Sequence, residues 1–262
     1  MMIEKNILEV KNISLSYQKD PIVKELDVSF MKGKISVIIG PNGCGKSTLL
    51  KGISRLLKKE TGSIILNDIN MDELSNKEIA KQLAFLPQSA TAPEDVTVRD
   101  VVELGRYPYR KVLQKVSQEE KIIVDEVLEQ TGLFHLRDEN INNLSGGQKQ
   151  RVWIAMALAQ KTEIILLDEP TTYLDLGHQI EVLNLLKELN ETTGQTIIMV
   201  LHDLNLASRF SDYMIGMKDG RVVYEGVPTE MMTPTILKDL FGIEAYIGED
   251  PVDKKPICLR FD

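Results

Sequence analysis

The sequence predicts an α/β protein built on a mainly parallel sheet. Three observations carry that prediction. Short β-branched and apolar runs, "KISVII", "EIILLDEP" and "TIIMVLH", read as buried strands. Stretches with apolar residues at helical spacing lie between them, such as Ile180, Leu183, Leu186 and Leu189 in "HQIEVLNLLKELN". A glycine-rich loop, "GPNGCGKST", joins the first of these strands to a helix-like stretch. Strands that alternate with helices are connected by crossovers, and crossovers make neighbouring strands parallel.

At 262 residues the chain has room for one large domain, or for one domain with a subdomain. Hydrophobic residues make up 43% and charged residues 27%, so a sizeable core inside a water-exposed surface is expected. The formal net charge of −8 argues against a protein held on nucleic acid by counterion release. Cys44 and Cys258 are too few for a disulfide framework, which points to a reducing compartment. "MMIEKNILEV" has no secretory h-region. The longest apolar run, "VWIAMALA", is far shorter than the ~20 residues that span a bilayer. Any membrane association is therefore expected to go through a protein partner.

In chain order, "ILEVKNISLSY" and "VKELDVSF" alternate in part and read as strands. "KISVII" ends at Gly40. "KSTLLKGISRLLKK" follows as a helix, with Leu49, Leu50, Ile53, Leu56 and Leu57 on its apolar stripe. Thr97 with Asp100, and Ser117 with Glu120, have capping-box spacing, and Gly132 is expected to end the second of these helices. Residues 89–160 are therefore expected to form a helical insertion. "MKDGRVVYEG" carries an Asp-Gly hairpin signal, and Thr233–Pro234 is an N-cap and first-turn pair for a last helix.

"GPNGCGKS" fits the pattern G-x-x-x-x-G-K-[ST], between a strand and a helix. Its residues are Gly40, Pro41, Asn42, Gly43, Cys44, Gly45, Lys46, Ser47 and, next, Thr48. The glycines let backbone N–H groups turn toward phosphate oxygens, and the helix N-terminus adds a favourable dipole. Lys46 would meet the β- and γ-phosphates, and Ser47 would give a hydroxyl to Mg2+. The competing reading is a plain glycine turn before a helix. Cys44 reads as a small filler. Its place at a helix N-terminus would lower its pKa, and alkylation there is expected to block nucleotide binding. Asp168 ends a strand and is expected to hold Mg2+ through water. Glu169 follows as a general base or water-orienting group. The competing reading is a surface acidic pair. A lone histidine is usually structural, but His202 in "VLHD" is expected to end a strand of the same sheet, at the carboxyl edge where it could contact a γ-phosphate.

A second glycine pair occurs in "LSGGQKQR". Ser145 is an N-cap candidate and Gln148, three residues on, completes a capping box for the buried helix "VWIAMALA". Gly146 and Gly147 in the first turn leave backbone N–H groups for a second anion. An ordinary capped helix is the competing reading.

Gly40–Thr48, Gln88 in "FLPQ", "LSGGQ", "LLDEP", "TTYLD" and His202 in "LHD" together resemble the nucleotide-binding subunits of ATP-binding cassette (ABC) transporters. The resemblance covers nearly the whole chain. It implies an α/β P-loop NTPase (RecA-like) core with an N-terminal antiparallel β subdomain, over residues 1–88 and 161–262, and a helical signature subdomain over 89–160. It implies ATP hydrolysis with Mg2+ and a homodimer packed head to tail. Ser145, Gly146, Gly147 and Gln148 of one subunit would close on the ATP held by the other. Two glycine-rich loops then serve two nucleotides. The resemblance also implies that Tyr17 stacks on adenine and that Asp175 lies across the dimer interface. Gln88 would contact Mg2+ and the attacking water and sense the membrane partner.

"TVRDVVELGRYPYR", "EPTTYLDLGHQIEVL" and "VPTEMMTPTILKDLFGI" look like importers of iron–siderophore, ferric citrate, haem or cobalamin complexes. That likeness implies two integral-membrane permease subunits, an extracytoplasmic substrate-binding protein and no nucleic acid. It implies a peripheral place on the cytoplasmic face of the inner membrane, with "GRYPYR" in a coupling role. The alternatives are the ATPase subunit of another ABC transporter, such as an exporter, and a soluble ABC clamp or assembly ATPase. The tail "GEDPVDKKPICLRF" resembles that subgroup's ending, with no expected role.

Overall fold

The structure, a computed structural model, describes residues 5–18, 20–111 and 116–262. The chain begins with β1 (Asn6–Leu15), β2 (Val23–Met31) and β3 (Ile35–Ile39), followed by α1 (Lys46–Ile53), β4 (Lys59–Leu66) and β5 (Ile69–Asn70). Then come α2 (Asn76–Ala80), β6 (Leu83–Leu86), α3 (Val98–Leu104), α4 (Gln118–Gln130), α5 (Gly146–Ala159) and β7 (Ile164–Asp168). The long α6 (Leu176–Thr193) leads to β8 (Thr196–Val200), α7 (Leu204–Phe210), β9 (Tyr213–Lys218) and β10 (Arg221–Gly226). The chain closes with α8 (Pro228–Met231), α9 (Pro234–Phe241), β11 (Ala245–Glu249) and β12 (Pro256–Phe261). It divides into two compact units, Met1–Leu74 with Leu189–Asp262, and Ser75–Glu188.

The first unit holds an antiparallel sheet in the order β2-β1-β4-β5 and strands in the order β10-β9-β3-β8. β3 pairs in parallel with β8 and with β9, as the strand–helix alternation predicts. Every residue of β3 and β8 is buried, Ser36 and Thr196 included, which is why both read as mostly apolar runs rather than alternating ones. β10 closes the edge antiparallel to β9 through the expected Asp-Gly turn, with Asp219 at φ 52° and Gly220 at φ 82°. Thr233 caps α9 and Pro234 occupies its first turn, also as expected.

Two features of this unit were not expected. The helix over "KSTLLKGISRLLKK" stops at Ile53, and Leu56 is exposed rather than part of the core stripe. The chain has to turn back so that β4 can pair with β1. Arg55 adopts a left-handed φ of 62° and donates to Leu74 O at 2.7 Å and Met71 O at 2.5 Å. Those two bonds hold the reversal. The tail forms the hairpin β11–β12. It is fastened to α7 by Asn205, which donates to Cys258 O at 3.1 Å and accepts from Cys258 N at 2.7 Å. Ser208 adds a bond to Pro256 O at 2.7 Å.

The second unit pairs β6 and β7 in parallel and carries α3, α4 and α5. All three of these helices start at capping boxes, at Thr97/Asp100, Ser117/Glu120 and Ser145/Gln148. α4 ends as expected at Gly132, φ 69°. Gly132 N donates to Glu129 O and Leu133 N to Leu128 O, the paired bonds of a left-handed helix terminus. α3 and α5 approach closely at Gly105, where a Cβ would lie 2.1 Å from Met156 O. Gly105→Ala is therefore expected to cost about 1–3 kcal/mol of stability, read as a lowered denaturation midpoint. Among the described residues no helix is long and apolar enough to cross a membrane.

Candidate functional site

In the first unit, the glycine-rich loop leaves the carboxyl end of β3 at Gly40. The φ of Gly40 is 150°, and a Cβ there would meet Met217 O at 2.1 Å, so the position admits only glycine. Gly43 and Gly45 follow at φ 78° and 106°. Gly45 is the N-cap of α1 and no side chain caps the helix, so the helix start turns the positive end of its dipole toward an anion. Lys46 is buried, and its ammonium donates back to Gly40 O at 2.8 Å and Pro41 O at 3.0 Å. The loop is thus a cradle with the positive charge already folded into it. Asn42 and Gly43 are exposed, Pro41 and Ser47 half-buried, and Thr48 buried. β3 and β8 are in register at Ile38↔Val200, so Gly40 and His202, each two residues further on, leave the same edge of the sheet. His202 is exposed there. Tyr17, just past β1, is 53% exposed rather than part of the core, as a stacking residue requires. The Lys51 ammonium lies 5.7 Å from its ring centre.

Cys44 corrects an expectation. The thiol is buried, and burial pushes its pKa up, against a smaller lowering by the charge of Lys46. The cost of desolvating a thiolate thus outweighs the lowering expected from the helix N-terminus. Cys44 is a packing residue of the loop. Its alkylation in the folded protein is expected to be slower than that of cysteine in solution at pH 8, measured by mass spectrometry of the labelled peptide.

In the second unit, Asp168 ends β7 and is 3% exposed. Glu169 follows with a left-handed φ of 53°, a strain on the order of 1–3 kcal/mol for a non-glycine residue. β6 and β7 are in register at Leu86↔Leu167, which brings Gln88 beside Glu169. Gln88 Nε2 donates to Glu169 Oε2 at 2.5 Å, and Thr172 Oγ1 donates to the same oxygen at 2.9 Å. Two donors therefore aim one carboxylate, and Thr172 is a member of the site that sequence reasoning missed. Its position three residues after Glu169 in a turn was the available signal.

Ser145 and Gln148 form the expected reciprocal cap, with Gln148 N donating to Ser145 Oγ at 3.3 Å and Ser145 N to Gln148 Oε1 at 2.9 Å. The N–H groups of Gly146 and Gly147 stand outside this cap. Gly146 is exposed and Gly147 buried. Asp175 is the N-cap of α6, accepting from His178 N at 3.0 Å, and its side chain is 70% exposed. The His178 backbone N–H first, and its ring second, hold the Asp175 carboxyl below the usual aspartate range. His178 is the other residue missed; a histidine three positions after an N-cap aspartate was the sign of it. "GRYPYR" forms a tight turn in which the Arg106 guanidinium lies 4.0 Å from the centre of the Tyr109 ring, and Tyr107 is exposed.

Ser47 in the first unit, and Gln88 and Asp168 in the second, each offer a hard oxygen of the kind Mg2+ takes. Among the described residues no cluster of three or more His, Cys, Asp or Glu forms a self-contained metal centre.

The family described as ABC transporter matches residues 23–172. The iron(3+)-hydroxamate import ATP-binding protein FhuC of Bacillus subtilis is 50% identical over 257 residues, 98% of this chain and 96% of the relative. The achromobactin transport ATP-binding protein CbrD of Dickeya dadantii is 49% identical over 251 residues, 96% of this chain and 93% of the relative. Among solved structures, the dimeric ATP-binding cassette MJ0796, in a post-hydrolysis state with ADP and Pi, superimposes with a TM-score of 0.74 at 34% identity. The match covers 84% of this chain and 98% of that one.

Proposed function

This chain belongs to the ABC transporter family, and from that premise we propose that it is the ATP-hydrolysing subunit that energises import of an iron chelate through a pair of membrane permeases. The observation that carries the reading is the extent of the likeness to the hydroxamate import subunit. It spans 98% of this chain and 96% of the relative, and so includes the α9 region and the tail hairpin beyond the family's matched core.

In this reading the loop from Gly40 to Thr48 cradles the phosphates. Lys46 turns its ammonium from the loop carbonyls to phosphate oxygens, and Tyr17 stacks on adenine. Ser47, Gln88 and Asp168 would hold Mg2+, which would neutralise charge on the phosphates. Glu169, aimed by Gln88 and Thr172, takes a proton from the attacking water, and His202 contacts the γ-phosphate. Ser145, Gly146, Gly147 and Gln148 close on the nucleotide of a second copy packed head to tail, with Asp175 at the interface. ATP favours the closed dimer because its phosphates touch both subunits only in that state. Hydrolysis removes those contacts and reopens it. The exposed Tyr107 turn meets the permease. The subunit is peripheral on the cytoplasmic face of the membrane, and an extracytoplasmic binding protein delivers the cargo.

The test is uptake. Deleting the gene is expected to abolish import of labelled iron on one or more of hydroxamate, catecholate and citrate carriers. The wild-type gene should restore it and the Glu169→Gln gene should not. Unchanged uptake of every carrier, in a cell without a second ATPase of this type, would sink the importer reading and favour a soluble ABC assembly factor.

A further inference from the structure

We infer that His178 is a positioning residue. It ties the Asp175 loop to the LSGGQ glycines of the same subunit, and through them it acts on the nucleotide held by the partner subunit. This rests on the head-to-tail dimer proposed above.

His178 sits in the first turn of α6, and its two faces do different things. Its Nδ1 lies 2.8 Å from Asp175 Oδ1, the oxygen that already accepts from the His178 backbone. Its ring lies against Gly147. A Cβ at Gly147 would come within 2.4 Å of the ring Cδ2 and 2.8 Å of Cγ. An imidazole thus occupies the place that a side chain at residue 147 would take. Gly146 differs, since the nearest atom to its Cβ position is Leu174 Cδ2, 3.9 Å away. Of the two glycines, one is packed from within and the other is open. About one helical turn behind, Arg151 of α5 pairs with Glu181 of α6, so the two helices are joined a second time in their second turns. Asp175 and the LSGGQ loop thus form one body, and both of its exposed elements are those proposed to face the partner.

A catalytic group displaced by about 1 Å can lose roughly 10²-fold in rate. Removing the imidazole frees Gly147 to shift, and the loss should fall on the site that this loop completes. The experiment uses heterodimers of the full chain purified through two different tags, with Lys46→Ala in one subunit. One site then remains active, formed by the intact phosphate loop of one subunit and the LSGGQ loop of the Lys46→Ala subunit. His178→Ala placed on the Lys46→Ala subunit is expected to lower ATP turnover roughly 10- to 100-fold. Placed on the other subunit, it is expected to leave turnover at the level of the heterodimer with Lys46→Ala alone. Ser145→Arg in the same two placements is the control. If Ser145→Arg is placement-selective while His178→Ala acts equally in both placements, or in neither, the proposal is overturned. If Ser145→Arg shows no selectivity either, the head-to-tail reading itself fails, and the inference with it. Should His178→Ala not fold, judged by its melting curve, His178→Gln replaces it in the same pairs under the same criteria.

Discussion

Glu169→Gln is expected to lower ATP turnover roughly 10²- to 10⁴-fold while ATP binding persists, leaving a dimer held closed by unhydrolysed nucleotide. The substitution is nearly isosteric. The backbone at φ 53° is kept, and the amide oxygen of the new side chain can still accept from Thr172 Oγ1, which donates to Glu169 Oε2 at 2.9 Å. What disappears is the ability to take a proton. Gln88 Nε2, now 2.5 Å from that oxygen, loses the charge it donates to but keeps an acceptor. Binding and fold should therefore survive, and the loss should appear in the chemical step. Phosphate release in a single turnover, with size-exclusion chromatography in ATP, separates the two. Near wild-type release would remove Glu169 from the role of base.

Lys46→Ala should lose both binding and turnover, the latter by at least about 10²-fold, since it deletes the one ammonium built into the phosphate cradle. The charge is held ready by Gly40 O at 2.8 Å and Pro41 O at 3.0 Å, in a loop where the residue is 5% exposed. An ammonium donates three hydrogen bonds, so it can turn toward phosphate oxygens without rebuilding the loop. Stability without nucleotide should move by no more than about 1–3 kcal/mol, because the bonds lost to two carbonyls are offset by relief from burying a charge. A fluorescent-nucleotide titration alongside phosphate release reads the effect. Wild-type turnover would refute the assignment.

Much of this architecture was legible in the chain itself. The three capping boxes, the Asp219–Gly220 hairpin, the Gly132 helix end and the buried, mostly apolar strands β3, β7 and β8 all form as the sequence predicts. Each depends on residues within a few positions of one another, or on the plain rule that a strand buried on both faces is apolar along most of its length. The phosphate loop belongs to the same class, since its pattern is local and its glycines answer to backbone geometry at Gly40, Gly43 and Gly45.

Other features depend on neighbours distant in the chain. The apolar spacing of Leu56 and Leu57 continued a helix that Arg55 ends, because β4 must return to β1. The Cys44 thiol is pushed up in pKa because the fold covers it, and no local pattern states how much water reaches a side chain. The tail becomes a hairpin because Asn205 and Ser208 of α7 bond to its backbone. Glu169 is aimed by Gln88 from the neighbouring strand, 81 residues earlier, and Gly147 is packed by His178 from the next helix. Short-range hydrogen bonds and periodicity are written in the order of the residues. Desolvation, strand pairing and the aim of a side chain are long-range energies, and they take their values only when the packed structure brings those residues together.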